Sequence, residues 1–60
     1  MFEIKVNGKS MGAMSGCEYS YHMYKVVIAH HCKALDSGYR IELVMDGKVI
    51  DTTIIPEYDF

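Results

Sequence analysis

The fold is decided by one stretch near the end of the chain, GYRIELVMDGKVIDTTII, residues 38–55. In its first half every second residue from Tyr39 to Met45 is apolar, and this period of two is typical of a strand with one buried face. Asp46-Gly47 follows, and such a pair favours the tight turn of a β-hairpin because both positions tolerate a positive φ. Residues 48–55 are mostly β-branched and predict the returning strand, which Pro56 ends because proline cannot donate a backbone hydrogen bond.

A second hairpin is predicted at the start of the chain. Residues 2–6 alternate between apolar and polar in the same way, and Asn7-Gly8 is a strong turn signal. Residues 9–14 are expected to return as a weak strand, because Gly12 and Ala13 offer little surface for packing. A β-bulge or a short edge strand is the expected compromise.

Between the hairpins, over residues 17–36, the apolar residues recur with the period of a helix. Ser15 is the expected N-cap, with Glu18 completing a capping box, and Gly38 is expected to end the helix in the left-handed conformation. The apolar stripe that should face the sheet has six members: Cys17, Tyr21, Tyr24, Ile28, Cys32 and Leu35.

This order of elements predicts an α+β fold of two layers, ββαββ, with one helix packed on a four-stranded antiparallel sheet. The sheet face that should meet the helix consists of Phe2, Ile4, Val6, Ile41, Leu43 and Met45. Residues 1–55 form the predicted domain, and residues 56–60 form a short acidic and aromatic tail.

Composition limits the classes of function. Sixty residues make one small domain, with little room for both a core and an enclosed pocket. Six basic against eight acidic residues argue against a nucleic-acid partner, and no apolar run is long enough to span a membrane. Residues 1–9 lack the pattern of a signal peptide. Two cysteines on one helix, about 22 Å apart, cannot bridge, so we expect a reduced protein in the cytoplasm of its host cell.

The residues that could carry chemistry do not form a catalytic or metal-binding pattern. His22, His30, His31, Cys17 and Cys32 are close in sequence, but no pair of them has the i, i+4 spacing that converges on a metal from one helix. Cys32 and His31 are adjacent, and adjacent helical residues do not face each other. We therefore expect no enzyme activity, no metal and no cofactor, with a metal shared between two chains as the open alternative.

A second apolar stripe on the helix is the main candidate for a binding surface. Tyr19, Met23, Val26 and His30 recur at steps of four, three and four, roughly opposite the predicted core stripe. Exposed tyrosine, methionine and valine in one patch indicate a contact surface. Two alternatives stay open: the helix is rotated, or the tail folds back over the stripe.

Two weaker candidates lie elsewhere. The outer face of the sheet should carry Glu3, Lys5, Arg40 and Glu42, with Asp51 or Thr52 depending on the strand register. The tail should offer a basic partner its acidic and aromatic side chains, which are Glu57, Tyr58, Asp59 and Phe60. A solvated face and a frayed tail are the ordinary alternatives.

The two hairpin segments, residues 2–12 and 38–50, also carry a resemblance. A short hairpin with an N-G turn, one helix and then the pattern G-Y-x-I-x-L-V-x-D-G-K-V-I resembles small phage-encoded proteins. That resemblance implies a non-enzymatic protein that binds and inhibits a host protein by occupying its surface.

The sequence thus predicts a protein-binding module, an inhibitor or adaptor carried by a phage or mobile element, which docks on a host protein through Tyr19, Met23, Val26 and His30. Under this hypothesis Met23→Asp abolishes binding and leaves the fold intact. The alternatives are a structural homodimer that buries the same stripe and, third, a metal-site protein.

Overall fold

A computed structural model describes residues 1–57 of the chain and confirms the predicted α+β fold with the order ββαββ. The elements are β1 (Phe2–Val6), β2 (Lys9–Met14), α1 (Cys17–Lys33), β3 (Arg40–Met45) and β4 (Lys48–Ile54). All four strands belong to one antiparallel sheet with the order β2-β1-β3-β4. The two hairpins therefore meet along β1 and β3, and β2 and β4 form the edges.

Strand alternation places the core as predicted. Ile4 of β1 lies opposite Leu43 of β3, and Val6 lies opposite Ile41, so both strands turn the same apolar face towards α1. The buried apolar cluster consists of Phe2, Ile4, Tyr24, Ile41, Leu43 and Ile55. Ile55 follows the end of β4, where its N–H donates to the carbonyl of Tyr39. Met45, which the alternation also assigned to the core, is instead 39% exposed at the end of β3.

The helix turns to the sheet a face that overlaps the predicted stripe but is shifted from it: Tyr24 is buried as predicted, and Tyr21, Ile28 and Cys32 are partly buried against the cluster. Its two buried residues are Ser20 and Tyr24, whereas Cys17 and Leu35 are exposed. At 100° per residue, the buried face is rotated by about 50° from the predicted stripe. Apolar residues surround much of the helix, so their periodicity alone does not fix its orientation.

A polar contact accompanies the observed orientation. The hydroxyl of Tyr24 lies 2.7 Å from Oγ1 of Thr53 on β4. Burial raises the pKa of Tyr24 above its usual value, and either hydroxyl of this pair can be the donor. Ser20 is fully buried, and its hydroxyl has no hydrogen-bond partner within residues 1–57. A small residue at this position takes up little space between the helix and the sheet.

The helix begins at Cys17 as predicted, but the predicted cap at each end is wrong. Gly16, not Ser15, precedes the helix, and no side chain caps the first turn. The helix ends at Lys33, and Leu35 rather than Gly38 takes the left-handed conformation, with φ 58°. The Asp36 N–H donates to the His31 carbonyl at 3.0 Å, and the Leu35 N–H donates to the Cys32 carbonyl at 3.1 Å. This pair of bonds is a Schellman motif, which usually has glycine where Leu35 stands.

Leu35→Gly is expected to stabilise the protein by about 0.5–1 kcal/mol. A leucine with positive φ costs about 1–2 kcal/mol, of which the greater freedom of glycine in the unfolded chain cancels a part. Little burial is lost, because the leucine side chain is 56% exposed. Urea unfolding of the two proteins measures the difference, with Ala34→Gly as the matched control, since Ala34 has an ordinary φ of −79°. A Leu35→Gly protein less stable than the wild type would show that this leucine makes contacts that outweigh its strain.

Candidate partner-binding surfaces

The helix flank, which we define as Tyr19, Val26 and His30, is exposed as predicted. Tyr19 is 57% exposed and Val26 is 44% exposed, and His30 is also in the exposed class. Since Tyr19 and His30 are eleven residue steps apart on one helix, the flank runs for about 16 Å along the axis. It offers an aromatic ring, a branched aliphatic group and an imidazole along one line.

Met23, the fourth residue of the predicted stripe, does not share this exposed position. It is only partly exposed and packs against the buried cluster. The rotation of the helix explains the difference, because it brings the Met23 side of the stripe towards the sheet. The placement of Met23 on the outward face is therefore wrong. Of the two alternatives named in the sequence analysis, the structure has the rotated helix.

The outermost face of the helix is polar. Its exposed residues are Glu18, His22, Lys25, Ala29 and Lys33. Such residues are typical of a solvated helix surface. The helix flank thus borders an ordinary solvent-facing surface on one side and the core on the other.

A small aromatic and polar cluster closes the C-terminal end of the helix. Nδ1 of His31 lies 2.8 Å from Oδ2 of Asp36, and both side chains are largely shielded from solvent. The His31 ring also lies against two neighbours, with centroids 5.1 Å from the ring of His30 and 5.3 Å from that of Tyr39. The His31–Asp36 contact spans the Schellman motif, so it ties the last turn of the helix to the loop that follows.

The structure brings no metal-binding set together in the part of the chain that it describes. Within residues 1–57 no group of three histidine, cysteine, aspartate or glutamate side chains could hold an ion. Cys17 is exposed and Cys32 is half-buried, and each is a free thiol.

The outer face of the sheet carries mixed charges at its centre. Lys5 on β1 lies opposite Glu42 on β3, and Nε of Arg40 lies 3.5 Å from Oε1 of Glu42. The register answers a question that the sequence left open: Thr52 is opposite Glu42 on the outer face, and Asp51 is opposite Leu43 on the helix face. Opposite charges at facing positions of neighbouring strands are typical of a solvated sheet face.

A bulge in β4 creates an apolar patch that the sequence analysis missed. Asp51 pairs with Leu43 and Val49 pairs with Val44, which leaves Ile50 as an extra residue without a partner in β3. Asp51 is on the helix face, so its neighbour Ile50 points to the outer face. Val49 is paired with Val44, which is on the outer face, so Val49 points there as well. We call this the β4 patch: Val44, which is 3% exposed, with Val49 at 52% and Ile50 at 37%.

Within residues 1–57, β4 is paired only with β3, so its other edge is open in the part of the chain that the structure describes. One backbone group on this edge is bonded to a side chain of the same strand. The Oδ1 atom of Asp51 accepts a hydrogen bond from the N–H of the next residue, Thr52, at 2.9 Å. The opposite edge strand, β2, is also bulged, and Gly12 within it has a φ of 129°. That bulge on an edge strand agrees with the compromise expected from Gly12.

Of the tail, the structure describes Pro56 and Glu57, and Pro56 is exposed. Glu57 is exposed. Tyr58, Asp59 and Phe60, which the sequence analysis proposed as further contacts, lie outside the described residues.

In comparisons with known proteins, no family model, no curated protein and no solved structure matches the chain. Within residues 1–57 no helix has the length and apolar character needed to cross a membrane. Contacts and exposure must therefore carry the functional argument. The two surfaces that they single out are the helix flank and the β4 patch with its open edge.

Proposed function

We propose that the chain is a small, non-enzymatic protein-binding module that docks on another protein through the helix flank. The observation that carries this proposal is the exposure of Tyr19 and Val26, at 57% and 44%, on the flank of the helix, beside an outermost face that is mostly polar. The resemblance to small phage-encoded inhibitors supplies the kind of partner, a host protein in the cytoplasm, and the kind of effect, occupation of its surface.

The chemistry of the flank suits such a contact. A tyrosine side chain buries a large area on binding and has few rotatable bonds, so little conformational entropy is lost when it is fixed. The hydroxyl of Tyr19 and the imidazole of His30 can donate or accept hydrogen bonds at the two ends of the flank. Val26 between them contributes apolar area without a polar group to desolvate.

Met23 has a supporting role in this proposal. Because it packs against the buried cluster, it fixes the helix beneath the flank rather than contacting the partner. The predicted binding set of four residues therefore becomes three contact residues and one support.

The experiment is a competition between matched helix variants. The tagged chain is used to isolate a binding protein from host lysate, that protein is purified, and its affinity is measured for each variant. Val26→Asp and Tyr19→Ala are each expected to weaken binding about tenfold or more, as for residues at the centre of an interface. Ala29→Asp, on the polar outermost face, is the control and is expected to bind like the wild type.

Two outcomes would contradict the proposal. One is equal affinity of the wild type, Val26→Asp and Tyr19→Ala for the purified partner. The other is an Ala29→Asp protein that loses affinity as much as Val26→Asp, since a contact centred on the polar face would then be responsible. Circular dichroism of every variant keeps a loss of folding from being read as a loss of binding.

A further inference from the structure

We infer that the open edge of β4 pairs with β4 of a second copy of this chain, so that two four-stranded sheets join into one antiparallel sheet of eight strands. The two-fold axis passes through Thr52. This surface is separate from the helix flank, so the inference stands or falls independently of the proposed function.

The backbone N–H and C=O groups on the free edge of β4 determine what kind of partner can pair with it. Thr53 is paired with Ile41 and Asp51 with Leu43, and the N–H of Ile55 donates towards β3. Hydrogen-bonding groups of a strand alternate between its two sides, so those of Thr52 and Ile54 point to the free edge. A row of alternating donors and acceptors at this spacing is complementary to another extended strand.

Of the two edges of the sheet, β4 is the better suited to pairing. It has seven residues, and three of its apolar side chains, Val49, Ile50 and Ile54, are exposed. The β2 edge has six residues, and its bulge contains Gly12, whose N–H faces Ser10 Oγ at 3.3 Å. A glycine bulge weakens a strand as a template, whereas β-branched residues favour one.

The sequence of β4 is complementary to itself when the axis lies at Thr52. Ile50 then faces the partner's Ile54 on the outer side, and Asp51 faces the partner's Thr53 on the helix side. Thr52 lies opposite the partner's Thr52, with two backbone hydrogen bonds between them. Pairs of β-branched residues in direct cross-strand positions are stabilising. This self-complementarity is the reason for choosing a second copy as the occupant.

A neighbouring register is disfavoured by charge. If the axis lay at Asp51, that carboxylate would face the partner's Asp51, and like charges in direct opposition are destabilising. In the register centred on Thr52 no two charged residues of β4 are opposite each other. The isoleucine pairs also extend the β4 patch across the junction, since Ile50 belongs to it.

Asp51 sets the strength of the pairing. In the single chain its carboxylate accepts the Thr52 N–H at 2.9 Å, which is the donor needed at the axis. On pairing, that N–H must leave the Asp51 carboxylate and donate to the carbonyl of the partner's Thr52. Removal of the carboxylate takes away the competing acceptor and leaves the edge open.

The test is sedimentation equilibrium with light scattering on the wild-type chain, from low micromolar to millimolar concentration in reducing buffer. The wild type is expected to show a monomer–dimer equilibrium. Ile54→Lys places two charges at the edge and is expected to weaken the dimer about tenfold or more. Asp51→Thr is expected to strengthen it about tenfold, as for loss of one competing charged hydrogen bond. Ala29→Lys, on the outermost face of the helix, is the charge-matched control and should not change it.

The inference is overturned by a wild-type chain that stays monomeric at millimolar concentration, whatever Asp51→Thr does. It is equally overturned by a dimer that Ile54→Lys leaves unchanged and Val26→Asp disrupts, because that dimer uses the helix flank. Amide hydrogen exchange gives a second readout: exchange at Thr52 and Ile54 should slow as the dimer forms. Thr52→Pro removes the axial N–H without removing a hydrogen bond to β3, and a dimer that survives it in a folded variant also rules the pairing out.

Discussion

Leu43→Ala is expected to destabilise the protein by about 3–4 kcal/mol, the usual cost of leaving a cavity where a buried leucine stood. Leu43 has no exposed surface and lies in β3, between β1 and β4 and beneath the helix. A chain of this size has a total stability on the order of 3–9 kcal/mol. The substitution therefore removes a large part of it and is expected to leave much of the protein unfolded at moderate temperature.

Urea unfolding followed by circular dichroism measures this effect, and Leu35→Ala is the matched control. The same atoms are removed there, but Leu35 is 56% exposed, and its cost should stay within about 0.5 kcal/mol. Comparable losses for the two variants would mean that the sheet and the helix do not meet over Leu43.

Met23→Asp is expected to cost about 2–3 kcal/mol of stability, contrary to the hypothesis that it would spare the fold. Met23 is partly buried and packs against the buried cluster, so a carboxylate there loses apolar contacts and part of its hydration. Loss of partner binding in this variant would then reflect loss of folding.

Val26→Asp on the same helix provides the comparison. Val26 is 44% exposed, so its new carboxylate stays hydrated and the stability should change by less than about 1 kcal/mol. Thermal unfolding of the two variants side by side is the measurement. If Met23→Asp proved as stable as Val26→Asp, Met23 would belong to the exposed flank after all, as its spacing from Tyr19 suggested.

The hairpins could be predicted because their turns have a strict backbone requirement. Asn7 and Gly8 have φ values of 52° and 83°, and Asp46 and Gly47 have 48° and 82°. Few residue pairs tolerate two positive φ angles in succession, so these pairs indicate hairpin turns even in a single sequence. Once the turns are placed, alternation along β1 and β3 predicts which residues are buried.

The rotation of the helix and the bulge in β4 could not be predicted, for different reasons. The helix has apolar residues on more than one face, so the apolar pattern is compatible with more than one orientation. The bulge is a slip of one residue, and a β-branched run such as residues 48–55 has no alternation that would reveal it. The candidate sites were affected in the same way. The rotation of the helix removed Met23 from the predicted stripe, and the bulge created the β4 patch, which was not predicted.

The Schellman motif shows a third limit. Sequence patterns place glycine after a helix, and Gly38 is available, yet the chain turns three residues earlier at Leu35. The His31–Asp36 contact across the motif and the two backbone bonds hold this turn despite the strained leucine. The rule that glycine marks the end of a helix considers one residue only and takes no account of such contacts.

The strand order has a consequence for how the chain folds. Each hairpin joins strands that are neighbours in sequence and can form within microseconds. The pairing of β1 with β3 instead brings together residues such as Ile4 and Leu43, which are separated in sequence by β2 and the helix. The two strands must be brought together before the contacts between them can form, so we expect the barrier to folding to lie at the pairing of β1 with β3. Substitutions along β1 and β3 should therefore slow folding, while substitutions on the two edge strands act mainly by hastening unfolding.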